Sequence, residues 1–303
     1  MRILVTGSSG TIGTRLCEKL LEAGHDVHGI DWLPNKWLPA VQSITTLIDL
    51  RDAKALTTHH SQLKADLVVH LAANARVYEL VEDPRRALDN LLTLFHTLEI
   101  CRANGIRKFV FASSRESYGN TGAPSYTEDM VRVEHCESPY TASKVGGEAW
   151  VHAYTRCYGI DHIIFRFSNV YGMYDDSQRV VPQFIRRAKE GAPLMIFGED
   201  KRLDFTYIDD CVDGILAGIH RFETAKNATY NIATGQGTTL VHLAQRVKEL
   251  LRSPSPLTIR ESRTGEITQY VANITRARSV LGFAPRTPFD QGIEKAVEWY
   301  KAH

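Results

Sequence analysis

The 303-residue sequence predicts an α/β protein, a doubly wound parallel sheet followed by a smaller C-terminal region. Three observations predict it. Short apolar runs alternate with longer helical patterns through the first half, the sequence form of repeated βαβ units. The runs LVVHL (67–71) and FVFAS (109–113) are almost continuously apolar, as strands covered by helices on both faces must be. A glycine-rich turn separates the first apolar run from the first helical one.

Taken in order, strands are expected at Ile3 to Thr6, Asp26 to Asp31, Leu67 to Leu71, Phe109 to Ser113 and His162 to Phe167. Helices are expected at about Thr11 to Glu22, Pro84 to Ala103 and Tyr140 to Tyr158. The last two are followed by Gly105 and Gly159, which suit a left-handed C-terminal cap. After residue 168 the pattern is less regular, with helices expected from Val181, from Cys211, at Leu240 to Leu251 and at Phe289 to Lys301. Residues 1–168, with 205–233 added, are read as one domain and 169–303 as mainly a second region. No internal repeat or long linker separates them.

With 36 basic and 35 acidic residues the chain carries a formal charge of +1, so no bulk field attracts nucleic acid or an anionic membrane. Met1 to Thr6 is too short an apolar run for a signal peptide or a spanning helix. The expected location is cytoplasmic, with no membrane partner. Cys17, Cys101, Cys136, Cys157 and Cys211 are odd in number, scattered and without CxxC spacing, which reads as reduced thiols. His59-His60 and His135-Cys136 lack ligand spacing, so no metal is expected. Arg85-Arg86 and Arg186-Arg187 read as solvated helix faces.

The chemistry begins at Thr6-Gly7-Ser8-Ser9-Gly10-Thr11-Ile12-Gly13, where a strand should turn into a helix. Glycines there let the backbone turn tightly and approach a pyrophosphate, and the helix N-terminus offers free N–H groups. Gly7, Gly10, Thr11, Ile12 and Gly13 are therefore candidate cofactor-binding residues. Asp31, 18 residues after Gly13 at the end of the second strand, can accept hydrogen bonds from a ribose and would repel a 2′-phosphate, favouring NAD over NADP. The second constellation is Tyr140 and Lys144, four residues apart and so on one helical face. A nearby ammonium is expected to lower the Tyr140 pKa and make the phenol a usable acid or base. The spacing alone decides little. Its position does more, because the helix follows a strand ending Ala112-Ser113-Ser114, whose hydroxyls emerge at the C-terminal sheet edge where ligands bind.

TGSSGTIG, Asp31, IDLRD (48–52), HLAA (70–73), FASSRESYG (111–119), SPYTASK (138–144), RFSNVYG (166–172) and RTGE (263–266) together give the chain its resemblance. It resembles the extended short-chain dehydrogenase/reductases of the NAD-dependent nucleotide-sugar epimerase/dehydratase family, UDP-glucose 4-epimerase-like, over essentially its whole length. The resemblance implies a Rossmann-type NAD-binding domain and a C-terminal substrate-binding region for a nucleotide sugar. It implies that Asp49 and Leu50 contact the adenine and that Leu71, Ala72 and Ala73 line the cofactor. Tyr140 and Lys144 would act at the nicotinamide ribose and the substrate, Ser114 falls on the catalytic Ser/Thr position, and Asn169 and Arg263 fall on positions that bind the diphosphate. It also implies a homodimer through a helix bundle built on the Tyr140 helix and on the helix carrying Leu91, Leu92, Leu94, Phe95 and Leu98, a stripe otherwise read as core.

The implied reaction is NAD-dependent 4-epimerisation of a UDP-hexose, UDP-N-acetylhexosamine or UDP-uronate through a 4-keto sugar. A UDP-glucuronate decarboxylase is the nearest alternative, because Glu116 falls where that branch carries a Glu and would contact substrate. A 4,6-dehydratase would carry Asp-Glu where this chain has Arg115-Glu116, and an arginine cannot give up a proton near neutral pH. A non-catalytic dinucleotide-binding protein would not need Ser114, Tyr140 and Lys144 together. Two stretches depart from the family pattern. Gly198 to Phe205 is one residue shorter than GDGxQxRDF and has Leu203 where the Arg is expected, with Arg202 a candidate substitute from a shifted register. Gly172-Met173-Tyr174 stands in place of Gly-Pro-Arg. The apolar loop Trp32 to Leu38 is expected to pack at the rim of the adenosine site.

Overall fold

The apolar runs form the centre of a seven-stranded sheet. A computed structural model describes residues 1–60 and 64–303, without the side chains of 57–60, so His59-His60 lie outside the described side chains. The strands are β1 (Arg2–Thr6), β2 (Asp26–Asp31), β3 (Thr45–Leu47), β4 (Leu67–His70), β5 (Lys108–Ser114) and β6 (Asp161–Phe167). Further along come β7 (Asn169–Tyr171), β8 (Leu194–Phe197), β9 (Arg202–Tyr207) and β10 (Ala228–Ile232). The large sheet runs β10-β6-β5-β4-β1-β2-β3, parallel throughout. β4 is buried at every position, and β5 at all but its first residue, which is why neither alternates. The order reverses between β1 and β4, and the crevice at such a switch point is where α/β sheets bind ligands.

Helix Pro139–Tyr158 begins where Ser138 accepts the Thr141 N–H at 3.2 Å, has Pro139 at its first turn, and ends at Gly159 in the left-handed region (φ 65°). These are local signals, and they fix the helix that carries Tyr140 and Lys144. Two short strands escape the periodic reading. β3 has three residues at the sheet edge, and β10 reaches the opposite edge beside β6 after a 60-residue excursion, in register Ala228 to Ile163. The excursion and the C-terminal residues build a four-stranded sheet in which β9 pairs with β7, β11 (Gly237–Thr239) and β13 (Gln269–Tyr270), and a separate two-stranded sheet of β8 and β12 (Leu257–Arg260). Asp204 secures this region, its buried carboxylate accepting from the Thr234 and Gly235 N–H groups and the Thr234 hydroxyl at 2.7–2.9 Å.

Trp37 does not pack at an adenosine rim. It stacks edge-on against Trp299 of the C-terminal helix (5.1 Å between centroids) and tilts toward Tyr174, because an indole gains more from aromatic neighbours than from the loop's open side. Trp32 is exposed beneath the Arg51 guanidinium. Arg186 and Arg187 are also not simply solvated: both are half-buried and donate to carbonyls, of Ser177 and Pro193. Among the described residues, no helix is long and apolar enough to cross a membrane.

Candidate functional site

A cavity of about 370 Å³ opens along the C-terminal edge of the sheet, lined from the glycine turn through β5 and helix Pro139–Tyr158 to β7, β9 and the loop around Arg263. At one end Gly7 is held in the left-handed region (φ 76°), and a Cβ at Gly13 would sit 1.9 Å from the Gly7 carbonyl oxygen. Only glycine permits that approach of turn to helix. Gly10 caps helix Thr11–Glu22 without a side-chain bond, and the first turn carries no acidic residue. The dipole end is thus left for an anion from outside.

Tyr140, Ser114 and Lys144 meet on the wall beside this turn. The Tyr140 phenol faces the Ser114 side chain. Ser114 Oγ also accepts the Glu116 N–H at 3.1 Å, capping the short turn Arg115–Tyr118 that follows β5. Lys144 Nζ donates to the Ala112 carbonyl at 2.8 Å and lies 5.8 Å from the centre of the Tyr140 ring. The expected lowering of the Tyr140 pKa is corrected here. Burial pushes it above its usual value, with Ser114, Arg179 and Arg115 only partly offsetting that push. Burial likewise pushes Lys144 down to about 8.

The buried ammonium has a measurable consequence. Lys144 titrates near 8 folded and near 10.5 unfolded, so its penalty is full below pH 8 and is relieved as pH rises to 10.5. That penalty is on the order of 3 kcal/mol, less about 1 kcal/mol for the hydrogen bond to Ala112. Lys144→Met is therefore expected to be more stable than wild type at pH 7, with the gap closing between pH 8 and 10.5 in denaturant titrations. A gap that stays constant with pH would mean that Lys144 is not held as a buried cation.

On the facing wall Asn169 donates to the Asp204 carbonyl at 3.1 Å, and the Arg263 guanidinium lies 3.9 Å over the Phe197 ring and 4.9 Å over Tyr78. Arg202 is not the substitute cation: it is exposed, donates to the Gly237 carbonyl at 3.1 Å and does not line the cavity. Lys201 does, buried, with Nζ 2.6 Å from Glu266. Strand alternation explains both, since positions 201, 203 and 205 face the cavity and 202 faces away. That parity was readable from Leu203 and Phe205, so sequence could have found Lys201. Arg179, also missed, lines the mouth and lies near Asp175.

Gly7, Gly10, Thr11, Ile12, Gly13, Leu71, Ala73, Ser114, Glu116, Tyr140, Lys144, Asn169 and Arg263 all line the cavity, whereas Asp31, Asp49, Leu50 and Ala72 do not. Asp31 accepts the Ser9 and Leu33 N–H groups, one on each oxygen, at 2.9 and 3.0 Å. Asp49 turns to Arg51 at 2.6 Å, and the Leu50 carbonyl bonds to His96.

The model of the NAD-dependent epimerase/dehydratase family matches residues 3–233, most of the chain. The chain belongs to that family. It is 32% identical to a UDP-glucose 4-epimerase of Mycolicibacterium smegmatis over 315 residues, covering 99% of each protein. Its fold is similar to the UDP-glucose 4-epimerase of Thermotoga maritima solved with UDP-glucose (TM-score 0.92, 30% identity, 100% and 99% of the two chains). It is also similar to a UDP-glucuronic acid 4-epimerase of Bacillus cereus solved with UDP-glucuronic acid and NAD (TM-score 0.90, 26% identity, 100% and 99%). The Rossmann-type sheet and the membership read from the motifs are thereby borne out. As in the rest of this NAD-dependent family the cofactor is NAD, and the residues fit it: the glycine cradle would be filled by any Cβ at Gly13, and the helix end above it carries no anion of its own.

Proposed function

We propose that the chain is a nucleotide-diphosphate-sugar 4-epimerase, acting on a UDP-hexose, UDP-N-acetylhexosamine or UDP-uronate through a transient 4-keto sugar. The convergence of Ser114, Tyr140 and Lys144 on the cavity that Asn169, Lys201 and Arg263 also line carries this reading. Tyr140 as phenolate takes the proton of the sugar 4-hydroxyl, and Ser114 hydrogen-bonds the same oxygen as it becomes a carbonyl. NAD bound at the glycine turn would supply the hydride acceptor and donor for C4 of the sugar. Lys144 supplies positive charge beneath the Tyr140 ring. Arg263 and Lys201, both held near Glu266, balance the diphosphate, with Lys201 taking the part that the family's Arg plays at position 203.

Asp31 would hold the adenosine ribose after giving up neither backbone bond, since each carboxylate oxygen has a further lone pair. Asp49, Leu50 and Ala72 would complete the cofactor site, within a domain formed by 1–168 and 205–233, while 169–303 mainly holds the nucleotide sugar. Of the Leu91–Leu98 stripe, Leu94 and Leu98 are buried, while Leu92 is exposed together with Leu88 (66%) and Trp150. These exposed side chains on two adjacent helices support a homodimer through a helix bundle, and the location proposed with it is cytoplasmic.

One observation favours a second reading, UDP-glucuronate decarboxylation: Glu116 is buried in the same wall and acts on Tyr140. Incubating the NAD-loaded protein with a panel of nucleotide sugars and identifying products by NMR tests both. An intact sugar inverted at C4 is the expected product. Carbon dioxide and a pentose would establish the decarboxylase instead, and tighter binding of NADP than NAD would remove Asp31 from the ribose.

A further inference from the structure

Two parts of the fold far apart in the chain supply the aromatic faces that hold one guanidinium at the cavity. Arg263 lies just past β12, which pairs with β8, and the ring of Phe197, the last residue of β8, is 3.9 Å from the guanidinium carbon. The second ring is that of Tyr78, 4.9 Å away, on the short helix Val77–Glu82 that follows β4 of the large sheet. The backbone of the Arg263 loop is fixed independently of these rings. Gly265 stands in the left-handed region (φ 79°), where a Cβ would come within 3.2 Å of the Glu137 carbonyl oxygen and of Val81 Cγ2. Further on, the Asn120 side chain donates to the Glu266 carbonyl at 3.1 Å and accepts the Thr268 N–H at 2.9 Å. What the anchored backbone leaves open is the direction of the Arg263 side chain, which has many rotamers to choose from.

Tyr78 lines the same cavity as Arg263 and Phe197, yet it is 41% exposed. A ring so exposed adds little to the core; what it offers is its face. Glu266, the acid of the Arg263 loop, is 3.9 Å from Arg263 and 2.6 Å from Lys201, so its closer partner is the lysine. The difference matters for anion binding. A carboxylate in close contact would neutralise Arg263 and compete with a phosphate, whereas a ring attracts the cation and leaves its full charge in place.

We propose that Tyr78 is a positioning residue: together with Phe197 it holds the Arg263 guanidinium, still carrying its full charge, ready for the diphosphate of the incoming nucleotide sugar. The proposal rests on the nucleotide-sugar reading and adds to it a residue that acts through Arg263. Ordering the side chain before the ligand arrives removes part of the entropy cost of binding. A guanidinium so held offers phosphate oxygens a planar fork of donors, which an ammonium lacks. The gain belongs to binding and not to the chemical step, because the diphosphate keeps its charge throughout the reaction at C4.

The test is titration calorimetry of the NAD-loaded protein with UDP, run beside kcat and KM for the accepted nucleotide sugar. Tyr78→Leu, which keeps an apolar side chain but no ring face, is expected to weaken UDP binding about 3- to 10-fold, the usual scale of a cation–ring contact. KM should rise by a similar factor and kcat should move far less. Tyr78→Phe keeps the face and should restore both UDP affinity and KM. A double-mutant cycle isolates the route: once Arg263→Met has removed the cation, Tyr78→Leu should cost nothing further. Unchanged UDP affinity in Tyr78→Leu, failure of Tyr78→Phe to restore it, or an undiminished loss in the Arg263→Met background overturns the proposal. If UDP binding follows the expected cycle but no sugar is turned over, the positioning role stands and the epimerase reading falls. Wild type that does not bind UDP overturns both.

Discussion

Tyr140→Phe is expected to lower turnover of the accepted nucleotide sugar by about 100- to 10,000-fold, the usual range for losing a positioned acid-base group. The variant removes only the hydroxyl that meets Ser114, so NAD binding and the melting temperature should change little. The expected loss is one of kcat more than of KM, because proton removal from the 4-hydroxyl occurs in the transition state and not on binding. Burial holds the ligand-free phenol above its usual pKa. Rates should therefore climb with pH until the phenolate forms readily in the loaded enzyme. A Phe variant that keeps half the wild-type rate would show that another group removes the proton.

The largest effect on stability is expected at Arg166, which no motif marks as structural. Its guanidinium makes a bidentate pair with Glu148, at 2.7 and 2.9 Å, and donates to the Tyr118 hydroxyl and the Glu128 carbonyl at 3.1 and 2.6 Å. Both partners are nearly inaccessible to water, and Ser113 also donates to Glu148. This pair fastens helix Pro139–Tyr158 to β5 and β6, one turn beyond Lys144. Arg166→Met should cost about 3–5 kcal/mol, because it leaves the Glu148 carboxylate buried and uncompensated. Replacing Glu148 by Met as well should recover most of that loss, since apolar side chains of similar volume satisfy the same space. Urea unfolding of both variants reads the difference. A loss below about 1 kcal/mol in the single variant would place the pair in the weak class of solvated bridges.

Sequence by itself determined what neighbouring residues decide. The alternation of apolar runs with helical patterns gave β1, β2, β4, β5 and β6 within a residue or two. Ser138, Pro139 and Gly159 marked the ends of the Tyr140 helix, since capping and glycine's left-handed freedom act within one turn. The glycine turn, Ser114, Tyr140 and Lys144 were legible for the same reason: each motif is a short stretch whose spacing carries its geometry. Tertiary structure decided whatever depends on partners distant in the chain. β3 and β10 are too short to declare themselves by period, and their places come from pairing with β2 and β6. The direction of the Tyr140 and Lys144 shifts follows from burial, which is a property of the assembled wall and not of a four-residue spacing. Which face of β9 meets the cavity follows from its place between β11 and β13, and strand alternation then turns Lys201 inward and Arg202 outward. Tyr78 and Arg263 meet for the same kind of reason: far apart in sequence, they come together only because the loop after β12 folds back against the helix after β4.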